Sequence, residues 1–353
     1  MIKRPITLVG DGIENPWNAR TLIDAAAMFG GACLFRDRAR LASAWMQTMR
    51  EQPAPTMISR DDLVQGYAPI ILCDNMDGAT DIYGFGPVTG PQPAVVVGNE
   101  RRGLAHDLRP IAHQSVQIPM VSRQINCLNV AAAAAVALYY LSRGSGKVGQ
   151  SLHPHKKRPE LLLAGPADHL ELGSAIRSAA AFGWDHILIE DRRCVWFGVD
   201  RVTRSEGRAA ARRGRNAIRV IPAHQDDHYA FDNVCVLTAR HSGLPLHRAR
   251  LDLGPRQLIV IPDESALSLD AEAWARLGRK ITVVSLELPS RTFVYHYRLI
   301  ATIVLAEIAR QVGRPLQPGV GRRKQRRPSY ESVIEQVERA EGELIYLDDL
   351  ELY

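Results

Sequence analysis

The feature that most constrains the fold of this 353-residue chain is an internal repeat. Three pairs of segments match in the same order: residues 21–30 with 174–183, residues 94–100 with 258–264, and residues 116–143 with 281–310. In the first pair, five of the ten positions are identical. Because order and spacing recur together, we interpret the sequence as a tandem duplication of one fold.

Each repeat alternates apolar, strand-like segments with helical ones. The strand-like segments of the first repeat are residues 6–10, 32–35, 70–73 and 94–98, and a helix that Asn18 or a neighbour caps is expected to run to Met28. Such alternation is typical of a parallel sheet that is covered by helices on both faces. The sequence therefore predicts the α/β fold class, with two α/β domains in tandem.

The connecting segments predict the domain boundaries. We expect a first domain at residues 1–145, a basic linker at 146–158, a second domain at 159–312 and a tail at 313–353. The linker is rich in Gly, Ser and Pro, which is typical of a segment between domains. The tail begins with basic residues and ends with acidic ones.

The formal net charge of the whole chain is +6. Its positive charge is concentrated in clusters in the second half. A single basic cluster is also typical of a solvated helix face, but three clusters favour a polyanionic partner such as RNA. The residues expected to contact RNA are Arg204, Arg208, Arg212, Arg213 and Arg215. With Gly207 and Gly214 among them, they predict a mobile basic loop or a frayed helix.

The composition argues against several other classes of protein. The five cysteines are scattered and lack CxxC spacing, so neither a disulfide framework nor a zinc site is expected, and a reducing cytoplasm fits. No stretch approaches the ~20 apolar residues of a membrane span, and the N-terminus shows no signal-peptide pattern. We expect a cytoplasmic protein that has no metal site and does not bind a membrane.

Three segments of the first repeat have the features of a binding site. They are residues 15–20 (NPWNAR), residues 96–104 (VVGNERRGL), and residues 117–131, which include QIPM and INCLNVA. A strand that leads into Gly98 lets main-chain groups approach a ligand closely, because glycine has no side chain. The loops after it offer further main-chain groups, which suits recognition of an adenine ring. The glycine-rich GxGxxG motif is absent, which argues against a Rossmann-type methyltransferase.

In this order and spacing, the three motifs resemble those of the SpoU/TrmH-type branch of the SPOUT methyltransferases. The resemblance covers residues 5–143 well and residues 160–312 faintly. It implies a sheet tied in a trefoil knot, S-adenosylmethionine as cofactor, and methylation of a ribose 2′-hydroxyl in tRNA or rRNA. The cofactor-binding residues that it implies are Val97, Gly98, Asn99, Gly103, Ile118, Met120, Cys127, Leu128 and Val130. The catalytic residues that it implies are Arg177, Asn18, Glu100 and Asn129.

The two repeats depart from the family pattern in complementary ways. At the position of the family's first-motif arginine, the first repeat has Asp24 and the second has Arg177. The second repeat has lost the cofactor motifs, with residues 262–264 (PDE) in place of GNE and residues 294–298 (VYHYR) in place of CLNVA.

Family enzymes are homodimers in which this arginine of one subunit faces the cofactor of the other. The complementary losses therefore predict one composite active site, with the cofactor in the first repeat and Arg177 from the second. We expect the repeats to pack as the subunits of such a dimer do, and the chain to be a monomer. Because a guanidinium stays protonated in proteins, Arg177 is assigned to orienting the nucleophile and stabilising its charge.

Each of these residues has an alternative interpretation. Arg177 is also compatible with a surface arginine on a diverged helix, Asp24 with a residue of a helix surface, and Arg20 with a substitute for the missing arginine. Asn18 is also compatible with a simple N-cap. Glu100 recurs as Glu264, which is compatible with a partly structural role, and Cys127 with a small buried residue instead of a nucleophile.

Two other functions use the same fold. One is a non-catalytic RNA-binding protein that keeps cofactor affinity, and the other is a methyltransferase that acts on an acceptor other than RNA. The near-intact cofactor motifs argue against the first, and the basic second half argues against the second.

Overall fold

A computed structural model describes residues 5–76, 78–99, 101–120, 128–145, 158–211, 218–223, 231–251, 256–265, 278–290, 292–313 and 343–345. The helices in these ranges are α1 (Pro16–Met28), α2 (Leu41–Thr48), α3 (Arg60–Gly66), α4 (Val130–Arg143), α5 (His169–Ala181), α6 (Arg201–Ala211) and α7 (Tyr297–Val312). The strands are β1 (Thr7–Asp11), β2 (Cys33–Arg36), β3 (Ile70–Cys73), β4 (Thr80–Asp81), β5 (Ala94–Val97), β6 (Gln114–Gln117), β7 (Glu160–Ala164), β8 (His186–Glu190), β9 (Ile218–Pro222), β10 (Phe231–Thr238), β11 (Leu244–Pro245), β12 (Gln257–Pro262), β13 (Gly278–Ser285) and β14 (Glu343–Ile345).

The first sheet has six strands in the order β2-β1-β5-β3-β6-β4, and every adjacent pair is parallel. Its central strands β1 and β5 are buried along their whole length. Strands that are covered on both faces are mostly apolar, which is why β5 and the middle of β1 lack polar alternation.

The second sheet has the order β11-β13-β10-β12-β7-β8-β9-β14. Its adjacent pairs are parallel except for β14, which is antiparallel to β9. The run β8-β7-β12-β10-β13-β11 repeats the order of the first sheet strand for strand, and β9 and β14 extend it at one edge. The predicted α/β class is confirmed, and the shared strand order is what a duplicated fold requires.

The chain divides into two compact units that are not the two sequence repeats. The first unit contains residues 1–119, 129–147 and 288–303, and the second contains residues 120–128, 148–287 and 304–353. Each unit therefore includes a segment of the other repeat. The predicted domain boundaries follow the repeats, so they do not include this exchange of segments between the two units. The predicted knot depends on residues 121–127, which lie outside the described residues.

Helix α1 begins where local hydrogen bonding dictates. Asn15 has extended backbone angles and accepts the N–H of Trp17 through its side chain, and Pro16 takes the first helical position. Both features are typical of a helix start. The helix ends before Gly30, which has a φ of +74°. The cap is thus a neighbour of Asn18, and the alternative that Asn18 is only an N-cap is wrong.

Helix α6, which carries part of the basic cluster, is regular from Arg201 to Ala211. Glycines bring it close to α5, because a Cβ on Gly173 would lie 2.3 Å from the carbonyl oxygen of Gly207. Asp200 caps α6 by accepting the N–H groups of Val202 and Thr203. The expectation of a mobile loop or frayed helix is therefore wrong for residues 201–211, since Gly207 serves helix packing. Among the described residues, no helix is both long enough and apolar enough to span a membrane.

We predict that His186 makes the stability of the second unit pH-dependent. Its imidazole lies 2.6 Å from a carboxylate oxygen of Asp185 and 2.8 Å from one of Glu160, and these bonds raise the pKa of His186 to about 9. Because the pKa rises on folding from 6.5, the imidazolium stabilises the fold fully below pH 6.5 and loses this effect as pH rises through 9. Urea unfolding at pH 6, 7.5 and 9 should show this loss in the wild type and not in His186→Gln. Equal pH dependence of the two proteins would contradict the assignment.

Candidate active site

Two asparagines assigned to catalysis are hydrogen-bonded to each other, although 111 positions separate them. Nδ2 of Asn129 donates to Oδ1 of Asn18 over 3.1 Å. Asn18 lies in α1 and is 8% exposed. Asn129 precedes α4 and caps it, with its Oδ1 accepting the N–H of Ala131 over 2.9 Å. Because α1 packs on α4, the first unit brings the first and third motifs together.

Asn99 organises the loop that follows β5. Its Oδ1 accepts the N–H groups of Arg101 and Arg102 at 2.8 and 3.0 Å, and its Nδ2 donates to the carbonyl oxygen of Gly12 over 2.7 Å. Two main-chain hydrogen bonds also join Asn99 to Gly103. The side chain thus holds the second motif closed and ties it to the end of β1.

Gly98 is required by this loop itself. A Cβ at Gly98 would lie 2.4 Å from the carbonyl carbon of Gly103 and 2.5 Å from the nitrogen of Leu104. This close packing of main chain on main chain is a second reason for the glycine, beside the predicted approach of a ligand, which stays a prediction. The glycine lets the second motif fold back on its strand.

A buried charge cluster beside this loop was missed from the sequence. Asp11, at the end of β1, is fully buried and accepts hydrogen bonds from Arg36, Arg38 and the N–H of Ala105 at 3.1, 3.2 and 2.8 Å. Arg36 also binds Asp107 over 2.7 Å, and this bond lowers the pKa of Asp107. The cluster fixes the far end of the second motif. A carboxylate directly after a buried strand is the sequence signal that could have indicated it.

The other residues of the first unit that are predicted to bind the cofactor lie at one edge of the first sheet. Val97 ends β5, and Ile118 follows β6. Strand β3 lies between β5 and β6 in the sheet. In open parallel sheets, ligands bind outside the carboxyl ends of the strands. Val97, Ile118 and Val130 are buried, and Val130 is the first residue of α4. Met120, which belongs to the second unit, is half-buried. Glu100 and Cys127 lie outside the described residues.

Arg177 contacts the third motif through a buried hydrogen bond. It lies in α5, is 6% exposed, and donates from Nη2 to the main-chain oxygen of Leu128 over 2.6 Å. Both residues belong to the second unit. The second repeat's arginine and the first repeat's cofactor motif are therefore in direct contact, and the alternative of a surface arginine is wrong.

At the position of Arg177, the first repeat has a buried ion pair. Asp24 is 5% exposed and lies 3.0 Å from Nε2 of His296, which aligns with Asn129 in the repeat. Arg298, two residues farther, donates to Oγ1 of Thr21 over 2.5 Å. The alternative of Asp24 as a residue of a helix surface is wrong.

Arg20 also pairs with Asp24, at 3.2 Å, and donates to Gln52 over 2.5 Å. Burial alone would raise the pKa of Asp24, but the hydrogen bonds from His296 and Arg20 outweigh it and lower that pKa. Arg20 therefore contributes to this ion-pair cluster of the first helix.

The predicted RNA-binding arginines are only partly described. Arg204 is exposed on α6 and donates to the carbonyl oxygens of Phe197 and Val199, both at 3.3 Å. Arg208 is half-buried on the same helix. Arg212, Arg213 and Arg215 lie outside the described residues.

Comparison with known proteins agrees with the sequence motifs. Residues 5–139 match the model of the SpoU rRNA Methylase family, so the first repeat is a segment of SpoU type, and its recognition from the sequence is confirmed. None of the curated proteins matches the chain.

Three similar solved structures cover the same share of the chain. The A. aeolicus TrmH/SpoU tRNA modifying enzyme is 17% identical, over 39% of this chain and 75% of its own, with a TM-score of 0.31. The SpoU methyltransferase AviRb from Streptomyces viridochromogenes, in complex with AdoMet, is 22% identical over 40% and 58%, with a TM-score of 0.31. The AdoMet-bound rRNA methyltransferase from Sinorhizobium meliloti is 19% identical over 39% and 56%, with a TM-score of 0.33. The matched segment thus spans less than two thirds of the length of AviRb and of the Sinorhizobium meliloti enzyme.

The two roles of Asn129 can be separated by substitution. Asn129→Ala removes both the cap of α4 and the bond to Asn18, and loss of such a cap costs about 0.5–2 kcal/mol of stability. Asn129→Ser keeps a capping oxygen but is too short to reach Asn18. We expect urea unfolding to show a loss of stability for the alanine variant and near-wild-type stability for the serine variant. An alanine variant as stable as the wild type would contradict the capping role.

Proposed function

We propose that this chain is an S-adenosylmethionine-dependent methyltransferase that modifies a ribose 2′-hydroxyl of tRNA or rRNA at one composite active site. The observation that carries the proposal is the hydrogen bond from Arg177 to Leu128. It joins the arginine of the second repeat to the third motif of the first, within a chain whose residues 5–139 match a methylase family.

The residues of the first repeat fit the cofactor. The second motif is held by Asn99 at the carboxyl edge of a parallel sheet, which is where such folds bind ligands. Apolar side chains that suit the adenosyl and methionyl groups are buried at the same motifs, among them Ile118, Leu128 and Val130. S-adenosylmethionine, when bound, supplies an electrophilic methyl group on a sulfonium. Val97, Gly98, Asn99, Gly103, Ile118, Met120, Cys127, Leu128 and Val130 would hold it.

Arg177 orients the acceptor and stabilises its developing charge. A guanidinium keeps its positive charge at all physiological pH values and can bind a phosphate with two parallel hydrogen bonds. Its bond to the Leu128 carbonyl places that charge one residue from Asn129. Preorganised charge of this kind is worth most where water is excluded, and Arg177 is buried.

The contacts of the first helix explain why only one site is proposed. A second site would need an arginine at position 24 and an asparagine at position 296. These positions hold Asp24 and His296, which bind each other. Asp24 is hydrogen-bonded to His296 and paired with Arg20, so we assign these residues to stabilising the fold in place of catalysing a reaction.

The exchange of contacts also supports a monomer. Helix α5 of the second repeat binds the third motif of the first, and helix α1 of the first repeat binds the corresponding segment of the second. We propose that these are the contacts that two subunits of a family dimer would make, formed here within one chain.

Replacement of Arg177 tests the composite site. In single-turnover methylation of RNA with saturating cofactor, Arg177→Ala should lower the rate by roughly 10²–10³, which corresponds to about 3–4 kcal/mol. Transfer to the 2′-hydroxyl is checked by nuclease mapping of the methylated nucleotide, and circular dichroism checks that each variant is folded.

Arg20→Ala is the matched control, because it removes a helix arginine that pairs with Asp24 and leaves Leu128 untouched. It should retain most of the activity. Full activity in the Arg177 variant, with loss in the Arg20 variant, would mean that the first repeat works without the second.

A further inference from the structure

The second unit contains a cavity that the methyl-transfer site does not use. It has a volume of about 290 Å³ and lies at the carboxyl edge of β8 and β9, between Glu190, which ends β8, and Pro222, which ends β9. The carboxyl edge of a parallel sheet is where such folds bind ligands, and the volume is near the lower end of small-molecule sites. The cavity is therefore of a size and in a place that suit one small ring system.

A buried carboxylate oxygen in this cavity lacks a donor. The Glu190 side chain is 9% exposed, and its Oε1 accepts from Nε and Nη2 of Arg192 at 2.7 and 2.6 Å. Its Oε2 is buried and has no hydrogen-bond partner among the described residues. A buried polar atom without a partner is costly, so the cavity is suited to a ligand that brings an N–H donor.

The remaining walls favour a flat ring. Phe197 contributes an aromatic ring, Pro222 contributes apolar surface, and Arg192 contributes a planar guanidinium that Glu190 holds in place. Unpaired RNA bases are recognised by stacking on aromatic side chains or guanidinium planes, together with hydrogen bonds to their edges.

The cavity wall is preformed. Asp191 accepts the N–H groups of Val195, Trp196 and Phe197 at 2.8, 2.9 and 2.7 Å, which fixes the loop that carries the aromatic ring. Arg204 of α6 binds the carbonyl oxygen of Phe197. The loop is thus attached to a helix that begins with exposed basic residues, and these supply the charge that a phosphate backbone requires.

The corresponding position of the first repeat has no such carboxylate, so this feature of the cavity is specific to the second repeat. Asp37 accepts the N–H groups of Leu41 and Ala42, as Asp191 accepts those of its own loop. The residue before Asp37 is Arg36, and the residue before Asp191 is Glu190. Arg36 binds Asp11 and Asp107, whereas Glu190 lines a cavity and has a buried oxygen without a partner among the described residues.

We propose that this cavity binds an unpaired RNA base that carries an exocyclic amino group. The amino group donates to Oε2 of Glu190, and the ring packs on Phe197. The proposal rests on the proposed function only in taking RNA as the source of the base, and it assigns the second repeat to recognition of the target.

The test uses the full chain without cofactor and single-stranded oligouridylates with one variable central nucleotide. Fluorescence anisotropy compares cytidine with 2-pyrimidinone riboside, adenosine with purine riboside, and guanosine with inosine, each pair differing by the amino group. We expect the amino form of at least one pair to bind about tenfold more tightly, as a hydrogen bond to a charged group gives. Equal affinities within every pair, or no binding, overturn the proposal.

Glu190→Gln should change which base the cavity prefers, an effect that a merely structural role of Glu190 would not produce. Arg192 can only donate, so the amide oxygen of the variant faces Arg192 and the amide NH₂ faces the cavity. The variant should therefore lose the preference for the amino form of the pair that the wild type prefers, because the amide NH₂ that now faces the cavity seeks an acceptor instead of a donor. Asp232→Asn is the matched control, because it breaks the exposed ion pair of Asp232 with Arg256 and should leave the preference unchanged. A variant at Glu190 that keeps the wild-type preference overturns the proposal.

The rate at which Cys194 is alkylated reports whether the cavity is occupied in the wild-type protein. Cys194 is exposed and lines the cavity, whereas burial raises the pKa of Cys73 and Cys235 to about 12 and keeps those thiols unreactive. Saturating oligonucleotide of the preferred type should slow alkylation of Cys194 about tenfold, as read by peptide mass spectrometry. An unchanged rate overturns the proposal, and equal protection by the free nucleoside monophosphate assigns the cavity to nucleotides instead of RNA. None of these measurements involves methyl transfer, so an inactive protein with this base preference would refute the proposed function alone.

Discussion

The hydrogen bond from Arg177 to the Leu128 carbonyl is the interaction on which the proposed site depends. Burying a guanidinium is costly unless its charge is satisfied, and a charge-assisted hydrogen bond returns about 1.5–3 kcal/mol. The bond fixes an always-charged group against the main chain of the third motif. Next along the chain, Asn129 caps α4 and binds Asn18. Each of these bonds has a structural reason to persist.

The two repeats keep one strand order but differ in charge at matching positions. Arg177 corresponds to Asp24, and each binds the third-motif segment of the other repeat. Arg36 corresponds to Glu190, and the first is satisfied by carboxylates while the second lines a cavity and has an unpartnered oxygen among the described residues. The backbone architecture is therefore common to both repeats, and the division of labour comes from a few side chains. A fold of this kind carries whatever function its local sites provide.

The sequence predicted the parallel sheets, because buried strands leave local signals. It assigned Asn18 and Asn129 to one site but did not indicate the hydrogen bond between them. Together with the family resemblance, the complementary losses predicted that Arg177 would lie at the first repeat's motifs, and its hydrogen bond to Leu128 agrees with this. Its role in methyl transfer stays a prediction. The sequence did not predict the bond between Asp24 and His296 or the packing reason for Gly98. Those depend on which segments lie together in the folded chain, and 272 positions separate Asp24 from His296. Periodicity and spacing carry no information about such pairs.

The central claim is that one chain forms one methyl-transfer site from two unequal repeats. Calorimetric titration of the full chain with S-adenosylmethionine tests it most directly, because the number of sites is independent of the RNA target. The account predicts one site per chain, lost when Asn99, which holds the second motif closed, is replaced by alanine. Two equivalent sites per chain would show that the second repeat has kept its own cofactor site, and would contradict the claim.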